Sequence, residues 1–263
     1  MNLVVFIKQV PDTATKIAIA ADGRSVDETH VNFIVNPYDE FALEEALRIK
    51  DRDPQTQVTV VTLGEERAQN ALRSCLAMGA DRAVLLRDQA FGESDPMATA
   101  RALAAALKAE TYDLLLFGKQ GVGTDHAQVG IAVAEMLGLP HAGVVVRLEL
   151  GGDGTARAER EIEGAHEAMT FRLPAVVTAQ KGLNEPRYAS LKGIMAAKKK
   201  PIETRDCAAL GLERSGVGAA GSRTRFKRLQ LPSPRKSGRR IEGDPETQAR
   251  ELLRLLREEA KAL

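Results

Sequence analysis

The stretch whose residue types best suit chemistry runs Gly118-Lys119-Gln120-Gly121-Val122-Gly123-Thr124-Asp125-His126-Ala127-Gln128-Val129-Gly130. Its four glycines let the backbone approach a ligand closely, and a helical period follows, around Gly130–Leu137. A helix N-terminus offers unsatisfied N–H groups and a partial positive charge to a phosphate, and Lys119 adds a full charge. Gly-Lys-Ser/Thr is missing, so this is not a Walker A loop. A nucleotide or phosphate loop is one reading of the segment; an ordinary flexible loop is the other. A second candidate is Asn36-Pro37-Tyr38-Asp39, which opens another helix. Its simplest reading is a cap, with Asn36 and Asp39 in a capping-box-like arrangement.

Other reactive residue types form no constellation. Cys75 falls on an apolar helical face and reads as a buried, inert thiol; Cys207 is far away in sequence, which fits a reducing compartment. His30, His126, His141 and His166 lack metal-ligand spacing. The sequence has no nucleophile elbow, no Cys–His pair and no dinucleotide glycine fingerprint. Glu161 and Glu163 read as outward positions of one strand.

These residues need elements to position them. Short apolar runs at Leu3–Ile7, Val58–Leu63, Ala83–Leu86 and Leu114–Phe117 suit central strands of a parallel sheet. Helical periods lie between them, one through Ala42, Leu43, Ala46, Leu47 and Ile49, another through Ala68, Ala71, Leu72, Cys75 and Leu76. Asn36 before Pro37 and Asp95 before Pro96 mark helix starts. The alternation predicts right-handed βαβ units and an α/β, doubly wound parallel sheet. One hairpin is expected around Ala21-Asp22-Gly23. Strands are expected at Val144–Leu150, at Ala156–Ile162 and at Phe171–Ala179, the last broken by Pro174.

The chain has 263 residues, 44% of them hydrophobic, so a sizeable core is available. A net charge of +1 and an aromatic content of 4% without Trp argue against nucleic acid as a partner. The first apolar run is too short for a signal peptide and no run reaches membrane-spanning length, so the expectation is a cytoplasmic protein that is not a membrane protein. Residues 201–243 lose periodicity and carry three prolines and the basic run Ser222–Arg240. They read as an extended arm. A final helix starts at Asp244-Pro245, with Leu252, Leu255, Leu256 and Leu263 as its stripe, buried either on this chain's own domain or on a partner. The expected division is therefore an α/β nucleotide-binding domain over 1–200 and an arm with helix over 201–263.

Several ordered motifs resemble one family. Val5-Phe6-Ile7-Lys8-Gln9-Val10-Pro11-Asp12, Asn36-Pro37-Tyr38-Asp39-Glu40, Ala77-Met78-Gly79-Ala80-Asp81-Arg82 and Gly118-Lys119-Gln120 look like beta subunits of electron-transfer flavoproteins. So, more specifically, do Leu173-Pro174-Ala175-Val176-Val177-Thr178, Leu183-Asn184-Glu185-Pro186-Arg187-Tyr188-Ala189-Ser190-Leu191, Ile194-Met195 and Lys198-Lys199-Lys200. The resemblance covers roughly residues 1–205 and is weaker beyond.

The resemblance implies an adenine nucleotide alpha hydrolase-like fold without catalytic residues of its own. It implies a heterodimer with an alpha subunit that holds most of a shared redox-active FAD, served by acyl-CoA or other flavin dehydrogenases. It also implies a structural AMP in this chain or, in electron-bifurcating members, a second FAD in the same pocket. The nucleotide positions carry over to Phe6, Asn36, Pro37, Tyr38, Asp39 and Leu63, and to Lys119, Gln120, Gly121, Val122, Gly123, Thr124, Asp125, His126, Ala127, Gln128, Val129 and Gly130. Aromatic positions near the flavin ring carry over to Thr13 and Tyr38, and Thr13 departs by lacking a ring. Docking positions carry over to Arg187–Lys200, including Tyr188, Ile194 and Met195, with Leu191 as apolar anchor; on residue pattern alone, a helix packing Leu191, Ile194 and Met195 inward is the alternative. Glu161 carries over as the residue that steadies the mobile FAD-bearing domain. Gly121, Val122 and Gly123 depart from the usual pattern, while Ala127-Gln128-Val129-Gly130 looks like bacterial forms, some of them bifurcating. A stand-alone nucleotide-binding or hydrolysing protein of the same fold is the remaining alternative.

Overall fold

The computed structural model describes residues 1–234 and 237–263; Arg235 and Lys236 of the basic run lie outside the described residues. The chain begins with β1 (Asn2–Phe6), β2 (Gln9–Pro11), β3 (Phe33–Val35), α1 (Pro37–Arg52), β4 (Gln57–Leu63), α2 (Gln69–Met78), β5 (Arg82–Leu86), α3 (Pro96–Ala106), β6 (Leu114–Gly118) and α4 (Val129–Leu137). It continues with β7 (His141–Leu150), β8 (Thr155–Ile162), β9 (Ala165–Arg172), β10 (Ala175–Ala179), α5 (Leu191–Lys199), β11 (Glu203–Arg205), the one-turn α6 (Gly218–Gly221) and α7 (Pro245–Glu258).

A nine-stranded sheet runs β11-β5-β4-β1-β6-β10-β7-β8-β9. It is parallel from β11 to β7, and β8 and β9 are antiparallel additions. Alternate residues of β1 face opposite layers. Leu3 and Val5 pack with α1 and α2, whereas Val4 and Phe6 pack with Leu103 of α3 and Val133 of α4. This is the expected doubly wound arrangement. Because β1 lies between β4 and β6, the strand order reverses beside it, and a crevice opens at the carboxyl ends of β1 and β6.

Several local expectations need correction. Around Ala21-Asp22-Gly23 only the bridge Ile19↔Val26 forms; the regular antiparallel pair is β2 with β3. The carboxylate of Asp22 accepts from the N–H groups of Arg24 and Ser25, which turns the chain without a ladder. The break expected at Pro174 within Phe171–Ala179 is present: a cis Leu173–Pro174 peptide bond separates the end of β9 from β10. Glu161 lies on β8, but Glu163 follows its end and occupies the turn to β9, so they do not share a strand.

The arm also begins later than expected. β11 pairs in parallel with β5, and Cys207, Leu210 and Val217 are buried beside α3. Arg205 secures this addition through Glu110 at 2.5 Å and the Ala106 carbonyl at 3.2 Å. One compact unit therefore spans Met1–Arg228 and a second Leu229–Leu263. Within the second, Asp244 caps α7 by accepting from Thr247 N–H at 3.0 Å, and Arg254 pairs with Glu251 and Glu258 at 2.8 Å each. Leu252, Leu255 and Leu256 lie on α7 and remain at least partly exposed, while Leu263 falls beyond the helix.

Candidate functional site

The crevice is organised by the first turn of α1. Asp39 is buried there, and its carboxylate accepts from Lys8 N–H at 2.6 Å and from Gly118 N–H at 3.1 Å. One side chain thus ties together the chain segments leaving β1 and β6. Gly118 is required at this junction, because a Cβ would meet the Asp39 carboxylate and lie 2.6 Å from the Tyr38 carbonyl carbon.

Asn36 does not cap α1 through its side chain. Its amide donates to the Gln120 carbonyl at 2.8 Å, and its side-chain oxygen accepts from Val122 N–H at 3.0 Å. The capping-box expectation is overturned: backbone N–H groups of Asp39 and Glu40 already reach the Asn36 carbonyl, and the side chains of Asn36 and Asp39 are spent on the glycine-rich segment and the strand ends. Farther along that segment, Gln120 donates to Asp125 at 2.7 Å, and Asp125 and Ala127 take left-handed φ values of 47° and 51°. Gly130 lets the start of α4 settle on the sheet, since a Cβ there would lie 3.0 Å from Thr178 and 3.1 Å from Phe117.

Between these elements lies a cavity of about 730 Å³. Phe6 and Phe117 stack in its lining with ring centroids 4.3 Å apart and planes 8° from parallel. Of the residues singled out from sequence, the cavity brings together Phe6, Asn36, Asp39, Leu63, Lys119, Gln120, Gly121, Thr124, His126, Ala127, Gln128, Val129 and Gly130. Pro37, Tyr38, Val122, Gly123 and Asp125 fall outside its lining. Tyr38 instead lies under the Lys119 ammonium, 5.1 Å from ring centroid to nitrogen.

Lys8, Arg24, Asp95, Pro96, Thr99 and the distant Thr224–Phe226 also line the cavity, beyond the residues expected there from sequence. Asp95-Pro96 carried a usable signal, because a capped helix start after a parallel strand belongs at the same sheet edge as Asn36-Pro37. Thr224–Phe226 carried none. No side chain among the described residues caps α4, whereas Asp95 caps α3 by accepting from Ala98 N–H at 2.8 Å. Burial lowers the Lys8 ammonium pKa, opposed by the charges of Asp39 and Asp125.

A second group of expected residues lies on the segment 187–200. Arg187 is anchored within the chain. Its guanidinium engages the buried Glu44 at 2.8 and 2.9 Å and Asp51 at 2.7 Å, which raises its pKa still further. Tyr188 and Leu191 are 98% and 78% exposed, and Ile194 and Met195 are also open. The inward-packing alternative for these residues is therefore overturned. Glu161 accepts from the Gln180 amide at 2.9 Å.

Residues 24–210 match the electron transfer flavoprotein domain family. The chain is 39% identical over 266 residues to the electron transfer flavoprotein subunit beta of Bacillus subtilis, covering 100% of each. The chain belongs to the electron-transfer flavoprotein beta-subunit family. A beta subunit of the same name from Methylophilus methylotrophus is 40% identical over 261 residues, 98% of each chain. The caffeyl-CoA reductase-Etf complex subunit CarD of Acetobacterium woodii is 40% identical over 244 residues, 92% of each. As an electron-transfer flavoprotein beta subunit the chain is one component of an electron carrier and has a partner subunit. Its relatives are named for electron transfer. No helix among the described residues is long and apolar enough to cross a membrane.

The Asp39 carboxyl gives this beta subunit a pH signature. Burial pushes its pKa up to about 7, against its hydrogen bonds and the Lys8 charge. A carboxyl whose pKa rises on folding keeps its proton in the folded chain after the unfolded chain has lost it. Its effect on stability is therefore most favourable below the ordinary value of 3.8 and declines as pH rises to about 7. At ~1.4 kcal/mol per pKa unit the decline is at most about 4 kcal/mol. Urea unfolding across this window should show the slope in the wild type and a flatter profile in Asp39→Asn. An equally steep profile in the variant would assign the slope to other groups.

Proposed function

We propose that this chain is the beta half of a heterodimeric electron-transfer flavoprotein, that an alpha subunit holds most of the shared FAD, and that the cavity of this chain holds a structural AMP. The observation that carries the nucleotide reading is the cavity at the strand-order reversal, with stacked aromatic rings in its lining beside the α4 N-terminus. The FAD supplies the electron-carrying chemistry, and this chain contributes binding and positioning without catalytic residues of its own. Phe6, Phe117 and Leu63 offer apolar surface suited to a base. The backbone N–H groups opening α4, with Lys119 and Lys8, offer positive charge suited to a phosphate. The cavity volume lies within the ~300–1,000 Å³ common for small-molecule sites. The chain's buried free thiols suit the cytoplasm.

A second FAD in place of AMP is the other reading. It is favoured by the Ala127-Gln128-Val129-Gly130 pattern and by a relative named for a caffeyl-CoA reductase complex. Denaturing the purified heterodimer and separating the released small molecules decides between them. About one AMP per chain and one flavin per heterodimer is the expected result. Two flavins without AMP would support the second reading, and no nucleotide from this chain would reject both.

We further propose that 229–263 is the arm that packs on the alpha subunit, because no leucine of α7 is fully buried and Leu252 and Leu253 stand 50% and 42% exposed. Leu256→Glu should weaken heterodimer formation at least ten-fold while leaving the unfolding midpoint of 1–228 unchanged. Undiminished pairing would give the arm another purpose.

Docking of a dehydrogenase is assigned to Tyr188, Leu191, Ile194 and Met195, which the Arg187 anchorage leaves exposed. Burying one leucine contributes ~1.5–3 kcal/mol, or roughly ten- to a hundred-fold in affinity. Steady-state reduction by a cognate dehydrogenase should show the apparent Michaelis constant of Leu191→Ala raised by about that factor, with flavin content and thermal stability unchanged. Wild-type kinetics in the variant would remove Leu191 from the docking surface.

A further inference from the structure

The cavity has a wall that the residues nearest to it in sequence do not supply. After α6, Ser222 returns to the start of α3. Its hydroxyl accepts from Asp95 N–H at 2.7 Å. The next two residues donate their backbone N–H groups to one oxygen of Asp95, Arg223 at 2.7 Å and Thr224 at 3.1 Å. Thr224, Arg225 and Phe226 then run along the cavity and line it. Behind this strap, Arg101 donates to the Gly221 carbonyl at 3.0 Å, and Gly218 N–H donates to the Ser94 hydroxyl at 3.0 Å. The strap is thus fixed at its root by several bonds, and at its last turn before the cavity it is held by Asp95 and by the Arg225 guanidinium, which donates to the Ala219 carbonyl at 3.2 Å.

Asp95 divides its work between its two oxygens. Oδ1 accepts from Ala98 N–H and caps α3, whereas Oδ2 accepts the strap. We propose that the Oδ2 side of Asp95 is a latch that holds Ser222–Phe226 across the cavity and sets how fast a bound nucleotide leaves. This rests on the reading that the cavity holds an adenine nucleotide. Asp95 is a positioning residue: it acts on the ligand through the strap. Backbone N–H groups donating to a carboxylate form charge-assisted bonds, which are stronger than neutral ones. Opening the strap breaks both at once and leaves the Asp95 oxygen without those partners. The nucleotide therefore leaves only during the rare openings, and its release rate reports the latch.

The separation of the two oxygens makes the latch testable without losing the cap. Asp95→Ser keeps a good N-cap residue but is too short to hold the strap. Arg223→Pro leaves Asp95 intact and removes one strap donor; Ser222 before it already has φ −81° and ψ 141°, which suits a residue preceding proline. Arg223→Ala is the control, since it removes the charge and keeps the N–H. The full heterodimer is loaded with radiolabelled AMP, and release is followed after adding excess unlabelled AMP, alongside thermal unfolding.

The latch predicts release at least ten-fold faster in Asp95→Ser and in Arg223→Pro, and unchanged in Arg223→Ala. A purely electrostatic role for Asp95 predicts the opposite sign, because removing a negative charge from the cavity wall slows the loss of a phosphate. Unchanged or slower release in Asp95→Ser overturns the latch, as does equal acceleration in Arg223→Ala and Arg223→Pro. If Arg223→Pro does not fold, Asp95→Ser against the wild type still decides by its sign. Wild-type heterodimer that binds no labelled AMP overturns the nucleotide reading itself, an outcome distinct from a bound nucleotide whose release the variants do not alter.

Discussion

The architecture of the site depends on one buried carboxylate. A parallel sheet ends along its carboxyl edge in backbone groups that have left one strand and not yet found another partner, and at the strand-order reversal neighbouring connections diverge to opposite faces. Asp39 meets this problem with two acceptors. One takes Lys8 N–H and the other Gly118 N–H, so the exits of β1 and β6 are held at a fixed separation. Its position in the first turn of α1 places the carboxyl where the helix dipole favours negative charge. The burial that raises its pKa is the same burial that makes these bonds effective, since water does not compete for the donors. Gly118 follows as a requirement, because a larger residue would displace the carboxylate. Asn36 then suspends the glycine-rich segment from the same helix start.

The helix ends that meet at the cavity are electrostatically unlike. The N-terminus of α3 is filled by the carboxylate of Asp95, whose burial pushes its pKa up but whose bonds from Ala98, Arg223 and Thr224 outweigh that and hold it below the usual carboxylate range. The N-terminus of α4 follows Gln128 and receives no such cap among the described residues. An anion entering the crevice is thus repelled at one helix end and attracted at the other. The asymmetry follows from the residue before each helix, Asp95 in one case and Gln128 in the other.

The central strands were legible because each is apolar on both faces, and α1 and α3 because proline marked their first turns. The glycine-rich segment was placed correctly at the sheet edge for the same topological reason. What escaped notice has physical causes. β9, with Ala165, His166, Glu167 and Ala168 exposed, carries little alternation to betray a strand. β11 spans only Glu203–Arg205, and its stability comes from Arg205 reaching Glu110, an ion pair between residues remote in sequence. Residues 222–226 reach the cavity wall through backbone N–H groups bonded to Asp95, which have no residue-type signature. At Asn36 a cap and a tether use the same side chain, and only the location of Gln120 and Val122 distinguishes them.

The segment 187–200 inverts the usual logic of an amphipathic helix. A helix on a protein surface normally turns its large apolar residues inward. In α5 the residues facing α2 are small. Gly193 lies against the Ala77 carbonyl so closely that a Cβ would collide with it, and Ala197 is the buried residue of the helix. Gly193 in the first turn lets α5 settle onto α2 by its small side, which turns Leu191 and Met195 away. Ser190 caps the helix by accepting from Gly193 N–H at 3.0 Å, and Arg73 holds its far end by donating to the Ala197 carbonyl at 2.6 Å. With Arg187 fixed to Glu44 before the helix, the segment is pinned on both sides of its apolar residues. Their exposure is therefore a consequence of tight packing beneath them rather than of a loose surface loop. A rigid apolar surface loses less conformational entropy on association than a flexible one, so the same small face that orients the helix suits the docking proposed for this surface.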